Sequence, residues 1–362
     1  MTFQHKNILL ISPEPWGSSF VSKHHYAVEL AKRGNQVTFL GPPSQDYRVQ
    51  PSEVENLTLA EYPGFPKGLR FLPKAARHAV LRRITQKLEK LVGQPYDIVW
   101  SFDNSVFFDL DAWGDAKKTI SHIVDLNMDF ETAKAATSAN LCLCTTELIL
   151  ARLKAFNPRS FKIPHGVVIP TVFPTPKTLP GGSAVKAIYI GNLSMPYLDW
   201  DVLQATLQQN PEVQFSFIGP EGKSNLVASD HQSEIREAVK TLPNAHFMGP
   251  VPAKEVLAYL LGADICLVSY QEKHHKDQAS PHKITEYLAS GRVVVATYTA
   301  EYAGNDLLQM TERNADFPGL FTQVVNQLNQ HNSPEAAARR QAYARSHTYP
   351  ALVDQIEELL YG

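Results

Sequence analysis

The residues whose types and spacing could do chemistry are densest in Ser280-Pro-His-Lys-Ile-Thr-Glu-Tyr-Leu-Ala-Ser-Gly-Arg-Val-Val-Val-Ala296. Ser280 is a favoured helix N-cap and Pro281 a favoured first helical residue. Ile284, Tyr287 and Leu288 are spaced for burial, Lys283 and Glu286 share another edge three residues apart, and Gly291 stops the helix before an apolar strand. The spacing predicts a helix over 282–290 whose N-terminus opens beside the end of the strand in Ile265–Tyr270. Free N–H groups and the helix dipole make such an end an anion site. A carboxylate just inside the helix, Glu286, could hold two ribose hydroxyls. A plain surface ion pair between Lys283 and Glu286 is the alternative.

Other segments offer weaker chemistry. Ser12-Pro-Glu-Pro-Trp-Gly-Ser-Ser19 follows a strand and precedes a helix, and Gly17 would let the backbone approach phosphates or a sugar. It contains no GxGxxG, so a dinucleotide fingerprint is absent, and an ordinary strand-to-helix loop is the alternative. Ser121-His-Ile-Val-Asp-Leu-Asn-Met-Asp129 follows another strand end. His122 and Asp125 there are candidates for contacting a transferred sugar or an acceptor, against a core histidine and a capping aspartate. Asp103 and Asn104 are weaker candidates of the same kind. His24-His25 and His274-His275 do not read as metal ligands, because adjacent helical residues point about 100° apart and no known ligand spacing is completed. Between Lys67 and Lys90, Lys67, Arg70, Lys74, Arg77, Arg82, Arg83, Lys87 and Lys90 meet a single acid, Glu89, with apolar residues interleaved. Such a helix suits an anionic membrane surface, or is a covering helix with a solvated basic face.

These residues must be positioned by a chain of 362 residues, a length that suggests two domains. With 44% hydrophobic and 19% charged residues the composition is globular and excludes wholesale disorder. Residues 1–165 hold 20 basic and 16 acidic residues, and the remainder 14 and 20, so the first part is the one suited to meet something anionic. The slightly acidic whole argues against nucleic acid. Three cysteines without a CxxC pair fit a reducing cytoplasm. The apolar runs are far shorter than the ~20 residues of a membrane span, and the N-terminus does not read as a secretory signal.

Short apolar runs alternate with helix-period stretches, the pattern of βαβ units and parallel sheets. The expected strands are Asn7–Ile11, Gln36–Leu40, Leu57–Ala60, Asp97–Trp100, Thr119–Val124 and Asn140–Cys144, then Ala184–Ile190, Gln214–Ile218, Ala245–Met248, Ile265–Val268 and Val293–Ala296. Between the two sets Pro164, Pro170, Pro174, Pro176, Pro180, Gly181 and Gly182 break the pattern. The expected organisation is an N-terminal domain over 1–165, a linker over 166–183, a C-terminal domain over 184–333 and C-terminal helices over 334–362.

At 280–295 the sequence resembles the donor-site helix of GT-B glycosyltransferases, in the large retaining family that uses nucleotide-sugars. Bacterial members often read SPxKxxEYLAxGxPVV there, and SPHKITEYLASGRVVV matches every fixed position except the proline, which is Val293, after Arg292. Phe247-Met-Gly-Pro-Val251, Gly262–Tyr270, Tyr189-Ile-Gly-Asn192, Phe217-Ile-Gly-Pro220 and Ile163-Pro-His-Gly-Val167 fit the same pattern. The resemblance covers most of 184–297, and the first half only in outline. It implies two Rossmann-like doubly wound α/β domains facing each other across a cleft, with the C-terminal helix crossing back to the first.

The resemblance also implies roles. Glu286 binds the ribose. The N–H groups near Ser280 and Pro281, with Lys283, face the donor diphosphate. Gly191 and Asn192 line diphosphate and sugar, Gly249, Val251 and Pro252 hold the base through backbone, and Gly219 lies beside that pocket. Gly17 approaches the donor from the acceptor domain, and Gln278 orients the sugar. Gln278 stands where the family has glutamate, and Gly191–Trp200 lacks the usual Arg and Lys; Lys273, Lys276, Lys283 and the neighbouring histidines could substitute. The implied function is transfer of a hexose from a nucleotide-sugar, with a UDP-sugar as the expected donor, to a glycan or lipid-linked acceptor. Retention and no bound metal are implied as well, and the cysteines and the basic 67–90 segment add the expectation of a cytoplasmic enzyme peripheral to the membrane. The alternatives are a non-catalytic nucleotide- or sugar-binding scaffold, and an inverting transferase, with His24 or His25 as base, or a nucleotide-sugar epimerase.

Overall fold

The computed structural model describes residues 3–17, 20–105, 109–113, 118–125, 131–182, 184–222, 231–276, 278 and 280–362. Every candidate residue singled out above lies among them, whereas residues 18, 19 and 126–129 of the two loops do not. The chain forms two compact units, Met1–His165 with Tyr349–Gly362, and Gly166–Thr348.

The first unit is built on β1 (Asn7–Ile11), β2 (Gln36–Leu40), β3 (Arg48–Pro51), β4 (Leu57–Glu61), β5 (Ile98–Ser101), β6 (Lys118–Ile123), β7 (Leu141–Cys144) and β8 (Ser160–Lys162). They join in the order β3-β4-β2-β1-β5-β6-β7-β8, all parallel except the β3–β4 pair. Successive side chains of a strand point to opposite faces. Ile8 and Leu10 therefore enter one core with Tyr26 and Trp100, while Leu9 and Ile11 enter a second with Val99 and Ile123. Both faces are covered, which is why the central strands read as unbroken apolar runs. The helices are α1 (Ser22–Lys32), α2 (Lys74–Val92), α3 (Thr132–Ser138) and α4 (Glu147–Lys154).

The second unit contains β9 (Lys186–Ile190), β10 (Gln214–Ile218), β11 (Ala245–Gly249), β12 (Ile265–Val268), β13 (Val293–Ala296) and β14 (Gln309–Met310). The order is β11-β10-β9-β12-β13-β14, and every pair is parallel. The chain leaves β9 toward β10 on one side and resumes on the other with β12, a topological switch point where α/β sheets bind ligands. Its helices are α5 (Trp200–Gln209), α6 (His231–Lys240), α7 (Val256–Leu261), α8 (Lys283–Ser290), α9 (Phe317–Asn326), α10 (Leu328–His331) and α11 (Pro334–Ser346). The Pro-rich segment after residue 166 has no helix and belongs to this unit; Lys177 N–H donates to the Ala258 carbonyl at 2.9 Å, and Leu179 is buried.

The tail divides. α11 stays with the second unit, where Arg340 Nε donates to the Gly291 carbonyl at 3.0 Å. Only α12 (Tyr349–Tyr361) belongs to the first unit. It buries Tyr349, Leu352, Val353, Ile356 and Leu360 in the Trp100 core. Arg33 pins it by donating to Asp354 at 2.6 Å and to the Pro350 carbonyl at 2.8 Å. All three cysteines are buried, and among the described residues none forms a disulfide. Among the described residues no helix is long and apolar enough to cross a membrane.

Candidate functional site

Three neighbouring strands of the second unit end in glycine: β9 at Gly191, β10 at Gly219 and β11 at Gly249, all with positive φ (153°, 149° and 71°). They are tied in series by backbone. Gly191 N–H donates to the Ile218 carbonyl at 2.9 Å, and Gly219 N–H to the Gly249 carbonyl at 3.0 Å. A Cβ on Gly219 would overlap the Gly191 carbonyl oxygen. Glycine is thus required sterically, and the carboxyl edge of the sheet presents bare backbone to whatever binds there.

Next to this edge β9 and β12 part. Their ladder pairs Ala187 with Ile265 and Ile188 with Cys266, and goes no further. The Tyr287 hydroxyl of α8 takes over, accepting from Ile190 N–H at 2.9 Å and donating to the Ile190 carbonyl at 3.2 Å. Its fully buried ring thereby fastens α8 to the end of β9, one residue before Gly191. The burial of Ile284, Tyr287 and Leu288 agrees with their spacing, and Gly291 ends α8 with φ 76°.

Lys283, in the first turn of α8, sends its ammonium into the opening. Nζ donates to the Tyr189 hydroxyl at 2.6 Å, lies 3.9 Å from the centre of the Tyr189 ring and 5.7 Å from that of Tyr270. Removal from water pushes its pKa down to about 7, against a smaller opposing pull from Glu286. A cation there has a neutral phenol as its hydrogen-bond partner and a glycine, Gly191, against it. Glu286 lies one turn on, with 40% of its side-chain surface open and His282 Nδ1 4.0 Å from its carboxylate. The ion pair considered between Lys283 and Glu286 is therefore not formed; the lysine turns inward and the carboxylate faces out.

The first turn corrects one expectation. α8 begins at Lys283 after His282, without a side-chain cap, so Ser280 is not the N-cap. The turn closes through backbone instead, Ile284 N–H donating to the Pro281 carbonyl at 3.1 Å. Gln278 is half-buried just before it, its N–H donating to the His274 carbonyl at 2.9 Å. Asn192 uses its side-chain oxygen locally, on Ser194 N–H at 2.9 Å. Val251 is half-buried and Pro252 exposed, just after the end of β11. Sequence reasoning missed Arg236 of α6, which donates to Ser194 Oγ at 2.9 Å and brings a guanidinium to the loop that lacks Arg and Lys. No local pattern signals it; only the fold brings residues 194 and 236 together. The Tyr189–Tyr270 enclosure of Lys283 was equally hidden.

In the first unit the candidates stand apart. His122 on β6 is only 2% exposed, with ring centroids 4.7 Å from Phe102 and 6.0 Å from Trp100, and neither ring nitrogen has a hydrogen-bond partner among the described residues. Burial, with smaller contributions from His165 and Lys23, pushes its pKa down to about 3, so the ring is neutral. Asp125 is exposed two residues beyond β6. A Cβ on Gly17 meets nothing within 4 Å. Asp103 accepts from Ser105, and Asn104 donates to Thr132 Oγ1, as loop-closing groups. His24 is also structural: Nδ1 accepts from Val21 N–H at 3.1 Å and Nε2 lies 3.0 Å from the Pro15 carbonyl. Among the described residues, His78, Asp109 and Asp111 cluster at a spacing that could hold a metal ion. Arg77 already engages Asp109 at 2.7 Å and Lys74 engages Asp111 at 2.6 Å.

Two units of mostly parallel strands, glycine-ended strands and a helix N-terminus at the switch point fit one class, the GT-B fold. Residues 185–328 match the family described as Glycosyl transferases group 1. Over 124 residues the chain is 29% identical to a Bacillus subtilis (strain 168) protein whose name assigns it, provisionally, to teichuronic acid biosynthesis as glycosyltransferase TuaH. That match spans 34% of this chain and 29% of the relative. Solved structures similar over nearly the whole chain include Anabaena Alr3699/HepE in complex with UDP (TM-score 0.67, 14% identity, 98% of this chain and 99% of that one). Sucrose-phosphate synthase (tll1590) from Thermosynechococcus elongatus gives 0.66 at 14% identity, covering 98% of each chain. The E. coli trehalose-6-phosphate protein bound with UDP-2-fluoro glucose gives 0.66 at 11% identity, covering 98% and 99%. The chain has the GT-B fold, and the match to the Glycosyl transferases group 1 family lies within its second unit. Together the matches support a GT-B glycosyltransferase, as the motif at 280–295 implied.

Proposed function

We propose that the chain transfers a hexose from a nucleotide-sugar, a UDP-sugar, to a hydroxyl of a glycan or lipid-linked sugar, with retention. One observation carries the reading: bare glycine strand ends and the start of α8 converge beside an inward-turned lysine and an outward-turned glutamate. Backbone N–H groups and the dipole of α8 favour a diphosphate, and Lys283 supplies a positive charge beside it. Glu286 accepts from the ribose hydroxyls. The backbone of Gly249, Val251 and Pro252 receives the base beside Gly219, and Asn192 flanks the sugar. Gln278 orients the sugar, and Asp125 meets the acceptor. His122, neutral and walled in by rings, is a hydrogen-bonding group at most and no proton carrier. In transfer, the bond from the anomeric carbon to the diphosphate breaks as the acceptor oxygen bonds to that carbon. The leaving phosphate oxygen takes the acceptor proton on the same face. The protein's part is positioning and stabilising developing phosphate charge. UDP or UDP-sugars bound to two of the similar structures support the donor class.

The absence of Arg and Lys from Gly191–Trp200 favours a second reading, a scaffold that binds nucleotide or sugar without turnover. Both are tested by thermal stabilisation with UDP, GDP, ADP and CMP, with and without EDTA, on wild type and Glu286→Ala. Binding at 100 Kd raises stability by about 2.7 kcal/mol. The reading expects UDP to stabilise the wild type, in EDTA too, and to stabilise the variant by clearly less, about 0.4–1.4 kcal/mol at the same concentration. Stabilisation without turnover of any UDP-sugar selects the scaffold, and no stabilisation by any nucleotide overturns the transferase and leaves only a scaffold that binds sugar.

A further inference from the structure

α2 carries charge that the fold does not consume. Its buried side is Arg77, Leu81, Thr85 and Leu88. Three of its polar groups are spent internally: Arg77 on Asp109 and the Leu72 carbonyl, Lys74 on Asp111, and His78 against Asp111. The other six cations of the segment, Lys67, Arg70, Arg82, Arg83, Lys87 and Lys90, are all exposed, and none forms an ion pair with a carboxylate of the described residues. Arg83, Lys87 and Lys90 stand at i, i+4 and i+7, one stripe on the side opposite Leu81 and Leu88. The Lys87 ammonium sits 3.9 Å over the Tyr47 ring, which holds it outward without neutralising it.

Apolar surface accompanies the charge. Phe71, at the end of a 3-10 turn over Leu69–Phe71, is 81% exposed, and Leu72 beside it is 40% exposed. The Arg70 guanidinium lies 5.4 Å from the Phe71 ring centre, so cation and aromatic ring project together. At the far end of α2, Leu91 is 45% exposed. A soluble polyanion needs only the cations. An exposed phenylalanine and leucine at the head of a basic helix suit a surface that is anionic outside and apolar just beneath.

We propose that this face, Lys67–Leu72 with the exposed stripe of α2, docks the first unit on an anionic lipid bilayer, with Phe71 and Leu72 entering the headgroup boundary. The inference is independent of the donor assignment. Each cation near such a surface contributes roughly fivefold in partitioning, and the effect decays within a Debye length.

The test is flotation of the full chain with vesicles of phosphatidylcholine alone or with phosphatidylglycerol, across a NaCl series. Binding is expected on the anionic vesicles only, weakening as salt rises. Arg83→Glu/Lys87→Glu/Lys90→Glu is expected to reduce it by roughly a hundredfold or more. Phe71→Ser/Leu72→Ser is expected to abolish the residual binding at high salt, where charge is screened. Unchanged melting temperatures and circular dichroism show that either variant is folded; should the triple variant unfold, Arg83→Gln/Lys90→Gln replaces it. Failure to bind anionic vesicles, or equal binding by the charge variant, overturns the proposal. So does tight binding of soluble polyphosphate together with indifference of vesicle binding to Phe71→Ser/Leu72→Ser, which would assign the face to a dissolved polyanion.

Discussion

The two units share one architecture but finish their strands differently. In the second, β9, β10 and β11 end in glycines linked backbone to backbone. In the first, side chains close the ends. Ser12 Oγ after β1 donates to the Glu14 carbonyl at 2.7 Å and accepts from Glu14 N–H. Ser101 at the end of β5 does the same with Asp103, and Asp103 in turn accepts from Ser105. Side-chain-closed ends satisfy themselves. Glycine ends leave backbone and space for something else, and the inward-turned charge of Lys283 lies beside them. The difference supports the proposed donor site in the second unit more firmly than any single residue does.

The strongest way to break this comparison is to put one methyl group at a glycine strand end and one in the loop beyond the side-chain-closed end of β1. Gly219→Ala forces a Cβ onto the Gly191 carbonyl at a φ of 149°. Strain and overpacking together should destabilise by roughly 2–5 kcal/mol and remove UDP-dependent stabilisation. Gly17→Ala, whose Cβ meets nothing, should change stability by no more than about 0.5 kcal/mol. Thermal melts of both variants suffice, and comparable losses would sink the distinction.

Smaller effects sharpen the site itself. Glu286→Ala removes a charged acceptor and should weaken UDP binding roughly 10–100-fold, with Glu286→Gln between it and wild type, as read by calorimetry. Lys283 predicts a pH dependence. Its pKa in the free protein is lowered to about 7, so below that pH it is already charged and binding takes up no proton there. Above it, an anionic ligand must bring a proton with it. Affinity should fall by up to about tenfold per pH unit above 7, until the pKa of the bound state is passed. Lys283→Met should bind UDP weakly at all pH values and lose that slope. A slope retained in the variant would place the titrating group elsewhere.

Much of the second unit was legible because its information is local. α8 follows from the spacing of Ile284, Tyr287 and Leu288 and the stop at Gly291, and the strands from unbroken apolar runs. What stayed hidden depends on partners distant in sequence. The Tyr189–Lys283 bond spans 94 residues, and Arg236 reaches a loop 42 residues earlier. β3 (RVQP), β8 (SFK) and β14 (QM) escaped because they are short strands without an apolar run. Ser280 misled for a different reason: its type suits a cap, but the Pro281 carbonyl already closes the turn. In the first unit, His122 and Asp125 sit three positions apart, yet one is buried among rings and the other is exposed. Spacing alone could not separate them.

His122 supplies the smallest effect at neutral pH and the cleanest test of what the first unit's strand ends are for. Its folded pKa of about 3 lies below the 6.5 of an ordinary imidazole, because burial disfavours the charged ring. Between those values the unfolded chain binds a proton that the folded chain does not. Stability is therefore full above pH 6.5 and lost progressively as pH falls toward 3. His122→Phe keeps a ring stacked against Phe102 beside Trp100 and removes two ring nitrogens that have no partner among the described residues, so stability at pH 7 should move by less than about 1 kcal/mol. At pH 5 the variant should be the more stable by about 1–2 kcal/mol, with a shallower slope below pH 6.5. His24, His331 and His347 are also lowered by burial and keep part of the slope in the variant. Equal slopes would mean that His122 charges freely in the folded state and is not enclosed as described. A variant with the expected stability but no transfer activity would show that this buried imidazole, though neutral, gives a hydrogen bond the reaction needs.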